Sequence, residues 1–326
     1  MSELCMITGG SGMLGRELAF RLASLGRPVR IFDIAEPRLL PDGAEFVKGD
    51  LRNPADTDPA CVGVSVIYHL AALDASSSGD DIRSVNIEGT ACLLESAAIS
   101  GVRKIVFASS SDVYGSPPAQ SPCHEESPLV STGPFSMSKI AGEELCLSMA
   151  ASSDIKASVI RMPIVIGPGL KDQHIMRWIV NRAVEHKPVF LGAGGRAIRH
   201  YVDSGDCADA LIAASDNDVS AGHCFNVGYD RPHTDEEFAR AVIRAAKSFS
   251  IIVPAPRAIS DAVLQIARAT GEDPVPPDYR DGVFGDSWLA TDKARALLGW
   301  RPQKRLPVSL HDFMRWHKRN LLKNIG

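Results

Sequence analysis

The chain has 326 residues and a formal net charge of −4, long enough for one large core with a smaller lobe. It carries no basic block, which argues against nucleic acid as the main partner. No apolar run approaches a membrane span and nothing at the N-terminus reads as a secretory signal. The seven scattered cysteines, without a CxxC pair, read as reduced thiols of a cytoplasmic protein. The nine histidines form no HxxxH or HExxH pattern, so no metal site is expected.

An apolar strand over residues 4–8 runs into Gly9-Gly10-Ser11-Gly12-Met13-Leu14-Gly15, and a helix is expected over 16–25. Gly9 permits the tight turn off the strand, Gly12 lets a pyrophosphate approach the backbone, and Gly15 lets the helix pack close to the sheet. The helix N-terminus offers free N–H groups and a positive dipole end to phosphates. Such a strand–glycine–helix order predicts a dinucleotide site. The next strand, 29–33, ends on Asp33, whose carboxylate suits the adenosine ribose hydroxyls and repels a 2′-phosphate, favouring NAD; Arg30 and Arg38 leave NADP open.

Further strands are expected at 45–48, 66–70, 104–108 and 157–161, with helices at 82–100 and 138–151 between them. This alternation predicts an α/β fold with a doubly wound parallel sheet, the Rossmann arrangement, over residues 1–167. After Gly167 the pattern loosens into Gly- and Pro-rich turns with helices at 176–185, 206–214, 234–247 and 309–321. Residues 168–326 read as a smaller, discontinuous substrate-binding lobe over the carboxyl ends of the strands, with segments near 200–228 returning to the first domain.

Ser109-Ser110-Ser111-Asp112-Val113-Tyr114-Gly115 follows the fifth strand, and Phe135-Ser136-Met137-Ser138-Lys139 opens a helix. With the glycine turn, these motifs resemble the extended short-chain dehydrogenase/reductase family, in particular its UDP-galactose 4-epimerase-like epimerases and dehydratases. The resemblance covers nearly the whole chain. It implies that Asp50-Leu51 contact the adenine and that Leu70-Ala71-Ala72, after His69, lie beside the cofactor. Asn86 belongs to the family's Asn-x-x-Gly-Thr helix, and Pro163 sits in a turn carrying nicotinamide contacts. It also implies a homodimer joined through the helices at 82–100 and 138–151.

The family's chemistry uses a hydroxyl residue to orient the substrate, a tyrosine to move the proton and a lysine to hold the ribose and lower the phenol pKa. By this resemblance the hydroxyl is Ser110 and the lysine Lys139, but the tyrosine position, four before the lysine, is Phe135. Phenylalanine keeps the bulk of the ring and has no proton to exchange. Three readings are open: a Tyr→Phe replacement that stops an ordinary family enzyme, another acid–base residue, or a protein that binds nucleotide without catalysis. Asp112 is the first candidate for another base, because it stands where the family's dehydratases and decarboxylases carry a glutamate; a turn or cap aspartate is the plain alternative.

Arg199 and Arg280 match the family's sugar-nucleotide arginines, and guanidinium groups suit a diphosphate. His174, in a loop unlike that of typical UDP-galactose epimerases, is a further candidate sugar contact, and Asp74 replaces a lysine that those epimerases place near the cofactor. The expectation is an NAD-dependent nucleotide-sugar epimerase or dehydratase working through a 4-keto sugar. Alternatives are a decarboxylase or dehydratase using Asp112, an oxidoreductase on a small hydroxy compound, and a non-catalytic NAD-binding protein.

Overall fold

The computed structural model describes residues 3–170, 175–254 and 285–323. A seven-stranded sheet runs β11-β6-β5-β4-β1-β2-β3, and every pairing in it is parallel. Its strands are β1 (Leu4–Thr8), β2 (Val29–Asp33), β3 (Glu45–Lys48), β4 (Val64–His69), β5 (Lys104–Ser110), β6 (Lys156–Met162) and β11 (Cys224–Asn226). The doubly wound expectation therefore holds, and the edge strand β11 pairs with β6 from beyond residue 167. Side chains alternate between the faces, as strand geometry requires. Cys5, Ile7, Val66 and Tyr68 enter one buried core with Leu18, Leu22 and Leu211. Met6, Ile67, Phe107 and Leu93 enter the other. Burial on both faces explains why these strands read as near-continuous apolar runs.

Helix α1 (Met13–Ser24) and, further along, α7 (Ser204–Asp216) cover the first face. The second is covered by α2 (Pro54–Cys61), α4 (Gly89–Ile99) and α5 (Pro134–Ser152). The sequence reading omits α2, whose Pro59 and mixed Asp/Thr content hide any amphipathic period. What starts it is local, since the Asn53 side chain accepts from Ala55 N–H and Pro54 occupies the first turn. The single helix expected over 82–100 is instead a short turn, α3 (Gly79–Ile82), a π-helical stretch Arg83–Glu88, and α4.

Helix α5 approaches the sheet closely because its inner face is small. A Cβ on Gly142 would meet the Phe107 ring at 2.5 Å. That close approach carries Lys139, one turn earlier, to the end of β5.

A third core contains Trp178 and Val180 of α6 (Ile175–Val184), Phe238 and Val242 of α8 (Asp235–Ala246), and Phe313 of the final helix (Leu306–Lys323). Tyr201 stacks on Phe238 within it, ring centroids 4.9 Å apart. Three two-stranded pairings flank this core: β7 (Ile164–Ile166) with β10 (Tyr201–Asp203), β8 (Val189–Leu191) with β13 (Ile252–Pro254), and β9 (Ile198–Arg199) with β12 (His233–Thr234). No helix of the described residues is long and apolar enough to cross a membrane.

Candidate active site

A cavity of about 280 Å³ opens where the carboxyl ends of β1, β4, β5 and β6 meet. Its wall combines Gly9, Gly12, Met13, Leu14 and Gly15 with Leu70, Ala108, Ser109, Ser110, Phe135, Lys139, Met162, Pro163 and Val165. Ligands of open α/β sheets bind at this edge. The glycine turn, Ser110, Phe135 and Lys139 thus share one site although 130 positions separate Gly9 from Lys139 in the chain numbering.

The N-terminus of α1 is built for an anion. Gly12 is extended and no side chain caps the helix, so the first-turn N–H groups have no intrahelical acceptors and remain for a phosphate. Gly15 could not be larger, since its Cβ would lie 2.4 Å from the Gly9 carbonyl oxygen. At the end of β2, Asp33 is fixed by the N–H groups of Ser11 and Ala35, each at 3.0 Å. Arg30 turns elsewhere, donating to Glu45 and to the carbonyls of Ala60 and Val62. It is thereby engaged away from Asp33.

Lys139 is 7 % exposed. Its amine donates to the Ala108 carbonyl at 2.8 Å and lies 5.0 Å from the centroid of Phe107 and 5.8 Å from that of Phe135. Burial lowers its pKa to about 8, against the opposing pull of Glu143. Ser110 lies in the cavity wall and its Oγ accepts from the Asp112 N–H at 3.2 Å, capping a 3₁₀ turn over Ser111–Tyr114. Asp112 is half-buried on that turn and outside the cavity wall; its carboxylate acts on Lys139 through its charge.

Behind the cavity lies a buried polar cluster that the sequence reading missed. The Arg161 guanidinium grips Glu143 through Nη2 at 2.6 Å and Nε at 3.0 and 3.2 Å, and Ser109 donates to the same carboxylate. Arg161 also donates to Tyr114 Oη, which donates in turn to Asn226, both near 2.7–2.8 Å. Tyr114 is 2 % exposed and burial raises its pKa, so this second phenol is committed and cannot replace the missing one. The available signal was the spacing: Glu143 follows Lys139 by four residues and shares its helix face.

A second chain of hydrogen bonds ties β1 to the Lys139 helix. Thr90 Oγ1 donates to the Asn86 carbonyl and accepts from His69 Nε2, so His69 Nδ1 accepts from Thr8. His69 is buried and neutral, its pKa pulled down to about 3 by burial and then by Lys139. Asn86, on the π-helical stretch, pairs with both backbone groups of Leu73 and donates to Ser138, which donates to the Phe135 carbonyl.

The other expected residues are scattered. Ala71 donates its N–H to Thr8, Ala72 is half-buried beside it, and Leu51 packs beneath Gly89. The Asp50 carboxylate holds Arg52, which lowers its pKa. Asp74 accepts from Ser76 N–H. Arg199 stands outside the cavity wall, paired at 3.5 Å with Asp235, whose pKa burial raises. His174 and Arg280 lie outside the described residues. No cluster of three or more candidate metal ligands occurs among those residues.

Residues 5–228 match the NAD dependent epimerase/dehydratase family. The chain belongs to that family. A UDP-glucose 4-epimerase of Mycolicibacterium smegmatis is 31% identical over 92% of this chain and 94% of its own. A UDP-N-acetyl-alpha-D-glucosaminuronate decarboxylase of Bacillus cytotoxicus is 26% identical over 78% of this chain and 84% of its own. Among solved structures, the Thermus thermophilus UDP-glucose 4-epimerase complex with NAD superposes with a TM-score of 0.78 at 27% identity, over 97% of this chain and 99% of that one. NAD is the cofactor of this family, and the residues present fit it: an uncapped helix end beyond a glycine turn, a fixed carboxylate at the end of β2, and a buried lysine in the same cavity wall as the glycine turn.

Proposed function

We propose that this protein is an enzyme that oxidises a carbon of a nucleotide-linked sugar and reduces it again, with epimerisation, dehydration or decarboxylation between the two steps. The single observation that supports this most is the cavity itself, which joins the anion-binding helix end to Ser110, Phe135 and Lys139. When bound, NAD supplies the hydride acceptor. The chain supplies the rest: Ser110 orients the reacting sugar hydroxyl, the ring of Phe135 closes one wall, and Lys139 holds positive charge at the ribose side. Met162, Pro163 and Val165 keep the opposite wall apolar. Residues 168–326 supply the substrate lobe, with Arg199 as the diphosphate contact. Arg199 must then exchange Asp235 for phosphate oxygens.

Product mass spectrometry after incubation with NAD and a panel of UDP-, TDP- and GDP-sugars, beside the Phe135→Tyr counterpart, tests the reading. An isomer, a dehydrated sugar or a decarboxylated sugar names the reaction. Turnover by the Tyr form alone would mean that Phe135 disables the enzyme, and no product from either would overturn the nucleotide-sugar assignment in favour of binding without catalysis. For a diphosphate substrate, Arg199→Ala is expected to raise KM roughly ten- to a hundredfold, the worth of about 1.5–3 kcal/mol for a hydrogen bond to a charged group. An unchanged KM would indicate a small hydroxy compound instead.

A homodimer through the face that α4 and α5 share is part of the same reading, supported by the exposed apolar side chains of Ile99 and Met137. Sedimentation should give twice the chain mass, and replacing both residues with Glu should lower it towards a monomer. Seven unpaired cysteines agree with a reducing, cytoplasmic location.

A further inference from the structure

With Phe135 in the tyrosine position, some other group must move the proton, and the cavity wall narrows the choice. Its described side chains offer two serine hydroxyls and one amine. Ser109 is tied to Glu143, and Ser110 caps the 3₁₀ turn. Neither hydroxyl ionises near neutrality. Asp112 is outside the wall. Tyr114 is spent on Arg161 and Asn226.

Lys139 is different. An ammonium has three donors, and its described hydrogen bond is a single one, to the Ala108 carbonyl. No carboxylate forms an ion pair with it among the described residues. Phenyl rings of Phe107 and Phe135 flank the nitrogen, so its remaining donors are left for whatever fills the cavity. In a family member with a tyrosine, the phenol would stand where the Phe135 ring now leaves only carbon.

We propose that Lys139 is itself the acid–base residue of this enzyme, a role that rests on the nucleotide-sugar reading given above. As the sugar hydroxyl is oxidised, its O–H bond breaks and an N–H bond forms on the neutral amine, giving the ammonium. NAD, when bound, would take the hydrogen on the same carbon with its electron pair, so that the carbonyl could form and the oxidation be balanced. On the return step the ammonium gives the proton back to the oxygen and becomes the free amine. Atoms, charge and electrons balance without a phenol.

The groups around the nitrogen suit this exchange. From its own helix come Glu143 and Cys146, from the 3₁₀ turn Asp112, from the end of β4 His69, and behind Glu143 the Arg161 guanidinium. His69 is neutral and burial drives the Cys146 thiol up to about 12, so neither carries charge near pH 7. The carboxylates favour the ammonium and burial favours the amine, and the balance puts both forms within reach near pH 8.

Lys139→Arg is the decisive variant, because arginine retains charge and donors but does not give up a proton. Turnover should fall by on the order of 10²–10⁴, and calorimetric NAD affinity of the same variant separates loss of the proton carrier from loss of the cofactor that Lys139 also helps to hold. Turnover within about threefold of the parent would overturn the proposal. A second readout needs neither substrate nor variant activity: NMR of protein carrying ¹³Cε-labelled lysine, with Lys139 assigned by its absence from the Arg form. A titration midpoint near 8 supports the proposal, and one at the ordinary lysine value of about 10.4 overturns it. If the parent converts no nucleotide sugar, the substrate reading fails, and the NMR midpoint still decides whether Lys139 is the titrating group.

Discussion

Glu143→Ala is expected to cost about 3–5 kcal/mol of folding stability, because it strands a buried guanidinium. Glu143 and Arg161 are 2 % and 4 % exposed. Arg161 makes three of its hydrogen bonds to this carboxylate, and its remaining partners, Tyr114 Oη, the Glu125 carbonyl and Cys224 Sγ, are neutral. Urea denaturation of the two proteins would measure the difference. A loss below about 1 kcal/mol would mean that the pair is as weak as an exposed one. Glu143→Gln keeps one acceptor and should fall between parent and alanine.

Gly15→Ala is expected to weaken NAD binding roughly ten- to a hundredfold. The added methyl would lie 2.4 Å from the Gly9 carbonyl oxygen and 2.6 Å from Gly10 Cα, both rigid backbone. Either α1 must draw away from the turn or the turn must open. Overpacking of this kind costs about 1–3 kcal/mol, and the displaced atoms are the N–H groups meant for the pyrophosphate. Gly12→Ala meets the same carbonyl only at 3.2 Å, so its effect on stability should be smaller. Calorimetric titration with NAD and a thermal melt on each protein separate the two effects, and equal melts would contradict the packing argument.

Much of the fold was legible from local pattern. The strands β1, β2 and β3 have the expected bounds, because each carries a short apolar run and glycine or aspartate punctuates its end. The others run one or two residues longer or shift by as much, since pairing with a neighbour extends a strand past its apolar run. Helix α2 stayed hidden because its starting signal is a cap and not a period. The two-stranded pairings β7–β10, β8–β13 and β9–β12 are too short to register.

At the candidate site, Gly9, Gly12, Met13, Leu14, Gly15, Ser110, Phe135, Lys139 and Pro163 were marked by residue type at fixed offsets, and all of them line one cavity. Asp112 was placed by analogy of position, and the 3₁₀ turn that begins at Ser111 leaves it outside the wall. In the Arg161–Glu143–Ser109 cluster only the spacing of Glu143 from Lys139 was a signal, because the cluster joins three elements through hydrogen bonds that span 18 and 34 positions of chain.

The π-helical stretch Arg83–Glu88 also bears on how this sequence can drift. A π turn holds one residue more than an α turn, so the segment behaves as a stored insertion. Deleting a residue there would restore regular i→i−4 bonding and keep α3 and α4 in phase, yet side chains inside the stretch would turn by up to about 100°. Asn86 would leave both Leu73 and Ser138, and the bracing of the Phe135–Lys139 helix would go with it. In this helix, therefore, substitutions on the outer face are cheap while a change of length is not, and the gap pattern among relatives should be stricter here than the residue identities.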